Sequence, residues 1–323
     1  MFSRRLFLKF GGAGVVAASM PVLRAHAADG PVRIVIPGPP GGGADAIARI
    51  VAEQLGTRIN QTVIVESRPG ASGLIASNFV RGQAPDGKVL YLSSAFLAVA
   101  PAVEPEIHKF NPATEFTPIA RLALNTSLLI ANNNLPVKTF PEFLAYAKAN
   151  PGKVRIGTGG QGTTGHLAAA FLAKATGIEF IVVHYKGSAP ANQDLMGGFI
   201  DAKFDNLAST RSVLESGKVK IIGASSKERS PLYPDLPTLN EFVPGLQLDD
   251  FFVIVAPKGM AQDQADALSK NLAEIVTLAE VQKKLRDQLG AVGAPLDGPR
   301  TGAFIQEVYD RTRHWTVDLN ISA

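Results

Sequence analysis

The order of strand-like and helix-like segments predicts an α/β protein of two lobes whose mostly parallel sheets are flanked by helices. Three observations carry this. Short β-branched runs alternate with amphipathic stretches along most of the chain. The unit strand, glycine-rich loop, helix, strand occurs twice, at Val32–Glu66 and Val154–Tyr185. The chain has 323 residues, enough for two domains.

The elements follow in order. "VRIVIP", from Val32, is a strand bounded by turn residues. "AIARIVAEQLG" sets Ile47, Ile50, Val51 and Leu55 on one face, with Gly56 as its stop. "TVIVES" and "VLYLSS" are strands, and "APDGK" at Ala84–Lys88 is a turn. A proline-rich stretch, Pro101–Pro118, precedes the strand "TSLLIANN". "TFPEFLAYAKANPG" opens with a capping box, Thr139 to Glu142, and closes on Asn150-Pro151-Gly152. "KVRIGTGGQGTTGHLAAAFLAKATG" is strand, loop and helix, with Gly177 past the helix end. "FIVVHY", "DAKFDN", "VKIIGASS" and "LDDFFVIVAP" are strands, and "SAPANQDLMGG" is a short helix begun by Ser188. Two amphipathic helices near Gln262–Leu289 and Arg300–Leu319 finish the chain, separated by a break around Gly290–Pro299. The domains expected are 28–125 with 250–323, and 126–249.

Composition removes several classes of function. With no cysteine there are no disulfides and no thiolate chemistry. Five histidines without paired spacing disfavour a metal site, and H-E-x-x-H, G-x-S-x-G and Gly-Lys-Ser/Thr are all missing, so no catalytic residue and no cofactor is expected. The pair Asp249-Asp250 reads as solvated. The sequence pI of 9.2 suggests nucleic acid, but the leader accounts for it. Residues 1–27 hold Arg4, Arg5, Lys9, Arg24 and no acid; removing them leaves 28 basic residues against 28 acidic ones. "SRRLFLKF", a mild Gly/Ala-rich run and "AHA" read as a twin-arginine export signal cleaved after Ala27. No later segment is long and apolar enough to cross a bilayer. An exported, periplasmic protein is expected.

Both glycine loops invite a ligand. Gly41-x-Gly43-x-x-Ala46 and Gly157-x-Gly159-x-x-Gly162 each fit the dinucleotide pattern, and Glu66 ends the strand after the first. An NAD(P)-dependent oxidoreductase built on the Gly157 loop is therefore the alternative reading. Against it, "PGPP" separates the first strand from its glycines, and the strand after the second loop ends in His184 with Glu179 at its beginning. The favoured reading is one small anion held between two helix N-termini, each offering free N–H groups and partial positive charge. Neither loop contains Arg or Lys, so backbone amides, the hydroxyls of Thr158, Thr163 and Thr164, and waters would meet the anion.

The chain resembles the periplasmic substrate-binding component of tripartite tricarboxylate transporters, the Bug family, over nearly all of its length after the leader. "PVRIVIPGPPGGGADAIAR", "VIVESRPGASGLIAS", "APDGKVLYLSS", "GTGGQGTTGHLAAAFLAKATG", "YKGSAPANQDLMGGFIDAKFDN" and "ERSPLYPDLPTLNE" carry the resemblance in order and spacing. It departs where the family commonly has His-Val-Pro-Tyr: here Val182-Val183-His184-Tyr185 puts histidine at the proline position. Phe251 stands for the family's tryptophan, and both departures are expected to reshape the pocket edge. The resemblance implies a monomeric binding protein that closes on a small organic carboxylate without catalysis. It further implies delivery to integral membrane subunits, or sensing by a module of the same fold.

The candidate ligand-binding residues are Gly38, Gly41, Gly42, Gly43 and Asp45 in the first unit and Gly159, Gly160, Gly162, Thr163, Thr164 and His166 in the second. Asp205, at the end of "KFDN", completes the set. Asp45 is either an N-cap or a ligand contact, His166 a ligand contact or a structural histidine, and Asp205 a receiver of a ligand hydroxyl or ammonium or a turn former. Ser93-Ser94 is a weaker candidate.

Overall fold

The structure is a computed structural model describing residues 30–318 except Thr126, Gln161, Gly162, Lys186, Pro231 and Asp249. The leader and Gly162 thus lie outside the described residues. In chain order the first elements are β1 (Val32–Ile36), α1 (Gly43–Ile59), β2 (Val63–Ser67), α2 (Leu74–Arg81), β3 (Val89–Ser94), α3 (Phe96–Val103), α4 (Pro105–His108) and β4 (Phe116–Asn125). Next come β5 (Ser127–Asn132), α5 (Phe140–Ala149), β6 (Arg155–Thr158), α6 (Thr164–Thr176), β7 (Ile181–His184), α7 (Ser188–Gly197), β8 (Ala202–Asn206), α8 (Leu207–Glu215) and β9 (Val219–Ala224). The chain then makes β10 (Asp250–Pro257), α9 (Gln262–Thr277), α10 (Ala279–Lys284), β11 (Ala291–Leu296) and α11 (Gly298–Asp318).

Two sheets result, ordered β11-β4-β10-β3-β1-β2 and β7-β6-β8-β5-β9. In the first, alternate residues serve two cores. Ile34, Ile36, Leu90, Leu92 and Ile254 face α1 and α9, while Val35, Tyr91, Val253 and Val255 face the opposite layer. Burial on both faces explains strands that read as continuous apolar runs. Ile47, Ile50, Val51 and Leu55 of α1 are all buried, as their spacing requires. In the second sheet Leu129, Ile156 and Phe204 pack with Phe140, Phe143 and Leu167, and Leu128, Ile130 and Ile200 pack with Leu195 and Val213.

Several details differ from the sequence reading. The sheets are mixed: β1–β2, β1–β3, β6–β7 and β6–β8 are parallel, and the five pairings made by β4, β5, β10 and β11 are antiparallel. The parallel half follows from the strand-loop-helix units; the antiparallel half follows from strands that pass directly from one sheet to the other. α1 runs through Gly56 and ends at Asn60, which takes the left-handed conformation (φ 50°) and donates its N–H to Gly56 O. Only half of the expected capping box forms: Thr139 accepts the Glu142 N–H, while the Glu142 carboxylate accepts from Lys138 N. The break before the last helix contains β11, and the proline-rich stretch takes in the end of α3, all of α4 and the start of β4. Pro118 lies within β4, where the missing N–H coincides with a register shift against β10.

Phe143 is fully buried and stacks on Phe140 and Phe180, with centroids 6.3 and 6.1 Å away. Phe143→Ala is expected to cost about 3–5 kcal/mol in chemical denaturation, the range for an emptied aromatic site; a loss below about 1 kcal/mol would show that this core is not built as described.

Candidate functional site

Topology marks one place in each sheet. The chain leaves β1 for β2 on one side, while β3 lies on the other, so the loops after β1 and β3 diverge. The same happens after β6, between β7 and β8. Ligands of open α/β sheets sit at such switch points, outside the carboxyl ends of the strands. Both glycine loops stand there.

The two edges face one another because, among the described residues, the chain changes sheet along them. β4 ends at Asn125 and β5 begins at Ser127, and β9 ends at Ala224 before β10 starts at Asp250. Ser225 N donates to Ser127 O at 2.8 Å and Leu248 N to Ser225 O at 2.6 Å, so the crossings run side by side.

In the first crevice, the residue preceding α1 is Gly42, which supplies no capping side chain. Orphan N–H groups of the first turn therefore point out of the helix end. Asp45 is not the N-cap. It lies in the first turn, is buried, and accepts both Gly41 N and Arg49 Nε at 2.9 Å. The Arg49 guanidinium, then the Gly41 N–H, hold its carboxyl below the usual range against the cost of burial. Ser67 Oγ donates to Gly38 O at 2.7 Å and fixes the loop from β2.

One neighbouring segment escaped the sequence reading as a site element. Residues Gly70 to Gly73 all have positive φ, including Ala71 (47°) and Ser72 (49°). Two non-glycine residues held left-handed are costly, and such strain concentrates at functional sites. Ser77 Oγ donates to Gly73 O at 2.9 Å, fastening the turn to α2. The signal was present: "RPGASG" is a third glycine-bearing loop between strand and helix.

In the second crevice, Thr163 caps α6, accepting His166 N at 3.4 Å and donating to Gly160 O at 2.7 Å. The N–H groups of Thr164 and Gly165 complete this helix end. Gly165 lets α6 sit against β8; a Cβ there would come 2.9 Å from Phe204 O. Gly159 O accepts Gly187 N at 3.0 Å, which brings the start of α7 alongside. His166 is half-buried, its ring edge-on to His184.

Asp205 reaches the same edge already engaged. Its Oδ1 accepts Asn206 N at 2.8 Å and its Oδ2 lies 2.5 Å from Lys203 Nζ. Lys203 is fully buried and also donates to Asn192 Oδ1 at 2.8 Å. Burial pushes its ammonium down, and Asp205 partly restores it. Asp250, expected to be solvated, is instead half-buried at the crossover, accepting from Asn125 Nδ2 at 3.3 Å. Burial first, then the charge of Asp205, push its carboxyl up to about 7. Asp249 lies outside the described residues. Phe251 is wholly buried against Phe304, so this departure falls in the core and not at the pocket edge.

A cavity of about 360 Å³ lies beyond the crossover, lined by Arg121, Asn125, Arg229, Asp250 and Phe304 among others and by no glycine-loop residue. Two of its cations are engaged, Arg121 Nε donating to Ala294 O and Arg229 gripping Glu241 with both arms, and Lys227 lines it as well. Glu228, Asp250 and Glu307 also line it, so its walls carry both signs of charge.

Facing switch points on two sheets, joined by paired crossings, define a two-lobed solute-binding protein. The family model described as "Tripartite tricarboxylate transporter family receptor" matches residues 47–318, and the chain belongs to that family. Among solved structures it is similar to the periplasmic binding protein BugD, with 30% identity, 90% of this chain and 98% of that one covered, and a TM-score of 0.75. An R. palustris protein solved with adipate shares 29% identity over 90% and 98% of the chains, with a TM-score of 0.78. MatC from Rhodopseudomonas palustris, solved with bound malate, shares 27% over 88% and 98%, with a TM-score of 0.72. Family and fold are those of solute-binding proteins, which are not enzymes.

Asp250 titrates upward on folding, from 3.8 to about 7. Between these values the folded state binds more protons, so stability falls as pH rises through the window. Asp250→Asn is expected to flatten the fall in melting temperature between about pH 4 and about pH 7; an unchanged slope would contradict the assignment.

Proposed function

We propose that this protein captures a small organic carboxylate between its lobes in the periplasm and hands it to the integral membrane subunits of a tripartite transporter. One observation carries the reading: two helix N-termini without a single cation in their loops stand at the facing switch points of the two sheets. Their amides suit a carboxylate, because N–H groups are donors only and the helix ends are positively polarised. Gly38, Gly41, Gly42 and Gly43 line one side and Gly159, Gly160, Thr163 and Thr164 the other. Asp45 sets the first loop by holding Gly41, and His166 and Asp205 border the second. Carboxylates in two similar proteins, adipate and malate, support the ligand class. The twin-arginine pattern at Arg4-Arg5 supports export.

The lobes divide at the crossovers, near residues 125–127 and 249–250, and these segments are the hinge. An oxidoreductase on the Gly157 loop would need an acid ending β7 for the ribose; His184 stands there.

Calorimetry of the mature protein against mono-, di- and tricarboxylates and NAD(P), with mass spectrometry of what copurifies, tests this. A carboxylate is expected to bind without turnover. Gly41→Val, placed at φ 83°, and Thr163→Val are each expected to weaken it at least about tenfold, with cooperative unfolding retained. Binding of NAD(P) and of no carboxylate, or wild-type affinity in both variants, would overturn the proposal.

A further inference from the structure

The second crevice carries an ionisable pair that capture by backbone amides leaves unused. His184 ends β7 and His166 sits in the first turn of α6, with ring centroids 4.6 Å apart at 85°. His184 Nδ1 lies 2.8 Å from Thr158 Oγ1, which in turn accepts Gly160 N at 3.3 Å. Thr163 joins the other end, holding Gly160 O and His166 N. The pair is therefore one hydroxyl away from the loop amides on either side.

Two imidazoles this close resist double protonation, so the first proton is the effective one. His166 is held below its ordinary value, first by burial and then by His184. The charged groups on neighbouring elements are paired among themselves. Tyr185, raised to about 12, donates its hydroxyl to Asp194 of α7 at 2.6 Å. Arg155 of β6 pairs with Asp201 at 2.8 Å, and Lys203 of β8 with Asp205 at 2.5 Å. From β6 the neutral Thr158 meets the His184 ring. Lys186, outside the described residues, ordinarily titrates far above this range.

We propose that the His166–His184 pair takes up one proton together with a second carboxylate of the ligand, so that the site increasingly prefers dicarboxylates to monocarboxylates as pH falls. The inference rests on the carboxylate reading above. A neutral pair leaves the loops to meet one carboxylate by N–H groups alone. One proton adds the single cation that the loops lack, and linkage requires the bound dianion to raise the affinity of the pair for that proton.

Adipate and hexanoate, equal in chain length and differing by one carboxyl, are the probes. Affinities for each are measured at about pH 8 and about pH 6, on either side of histidine titration. The adipate-to-hexanoate preference of the wild type is expected to rise at least about fivefold at the lower pH. In His184→Gln and His166→Gln the rise is expected to fall below about twofold. NMR titration of the ligand-free protein supplies a second readout: His184→Gln should move the His166 midpoint upward, because a like charge is removed. A wild-type preference independent of pH, or a His166 midpoint indifferent to His184, overturns the inference and leaves carboxylate capture standing. Failure of both acids to bind at either pH contradicts the capture reading itself.

Discussion

Everything in this molecule depends on where the chain is allowed to change sheets. Both crossings occur along the edge that holds the carboxyl ends of β1, β3, β6 and β8. Strand polarity then leaves no choice: loops after parallel strands must emerge at that edge, and the helices that follow must begin there. Two switch points are turned face to face as a consequence of connectivity, before any side chain is considered.

The chemistry of the edge follows from what each loop omits. A guanidinium in either loop would bind a carboxylate strongly and fix its geometry. Glycine and threonine instead present N–H and O–H groups, so under the proposed reading a carboxylate would meet oriented dipoles, whose strength grows wherever water is expelled. The charges that do occur near the edge are internally compensated. Asp45 faces Arg49, Asp205 faces Lys203, and Asp250 is pushed toward neutrality beside Asp205. A nearly uncharged crevice with polarised walls suits a ligand that must be released again.

Much of this was legible in the sequence because local rules and global fold agree there. The repeated strand, glycine loop and helix announced both crevices, and the apolar spacing of α1 named its buried face. What stayed hidden depends on contacts far apart in the chain. Nothing near Asp250 signals that β4 and β8 will set Asn125 and Asn206 beside it. Nothing near Lys203 signals that α7 will bury it. Sequence alone makes β11 a break because "AVGAPL" is short and carries glycine and proline; pairing with β4 overrides that weak propensity. Gly56 failed as a stop because a left-handed Asn60 a turn later ends the helix instead.

The central claim is that amides of two opposed helix ends hold the acid. A crystal structure of the mature protein grown with adipate tests it most directly. The account predicts carboxylate oxygens within about 2.7–3.2 Å of N–H groups in residues 41–43 and 159–165, one set from each lobe. Adipate seated in the Arg121 and Arg229 cavity, with both glycine loops untouched, would contradict it.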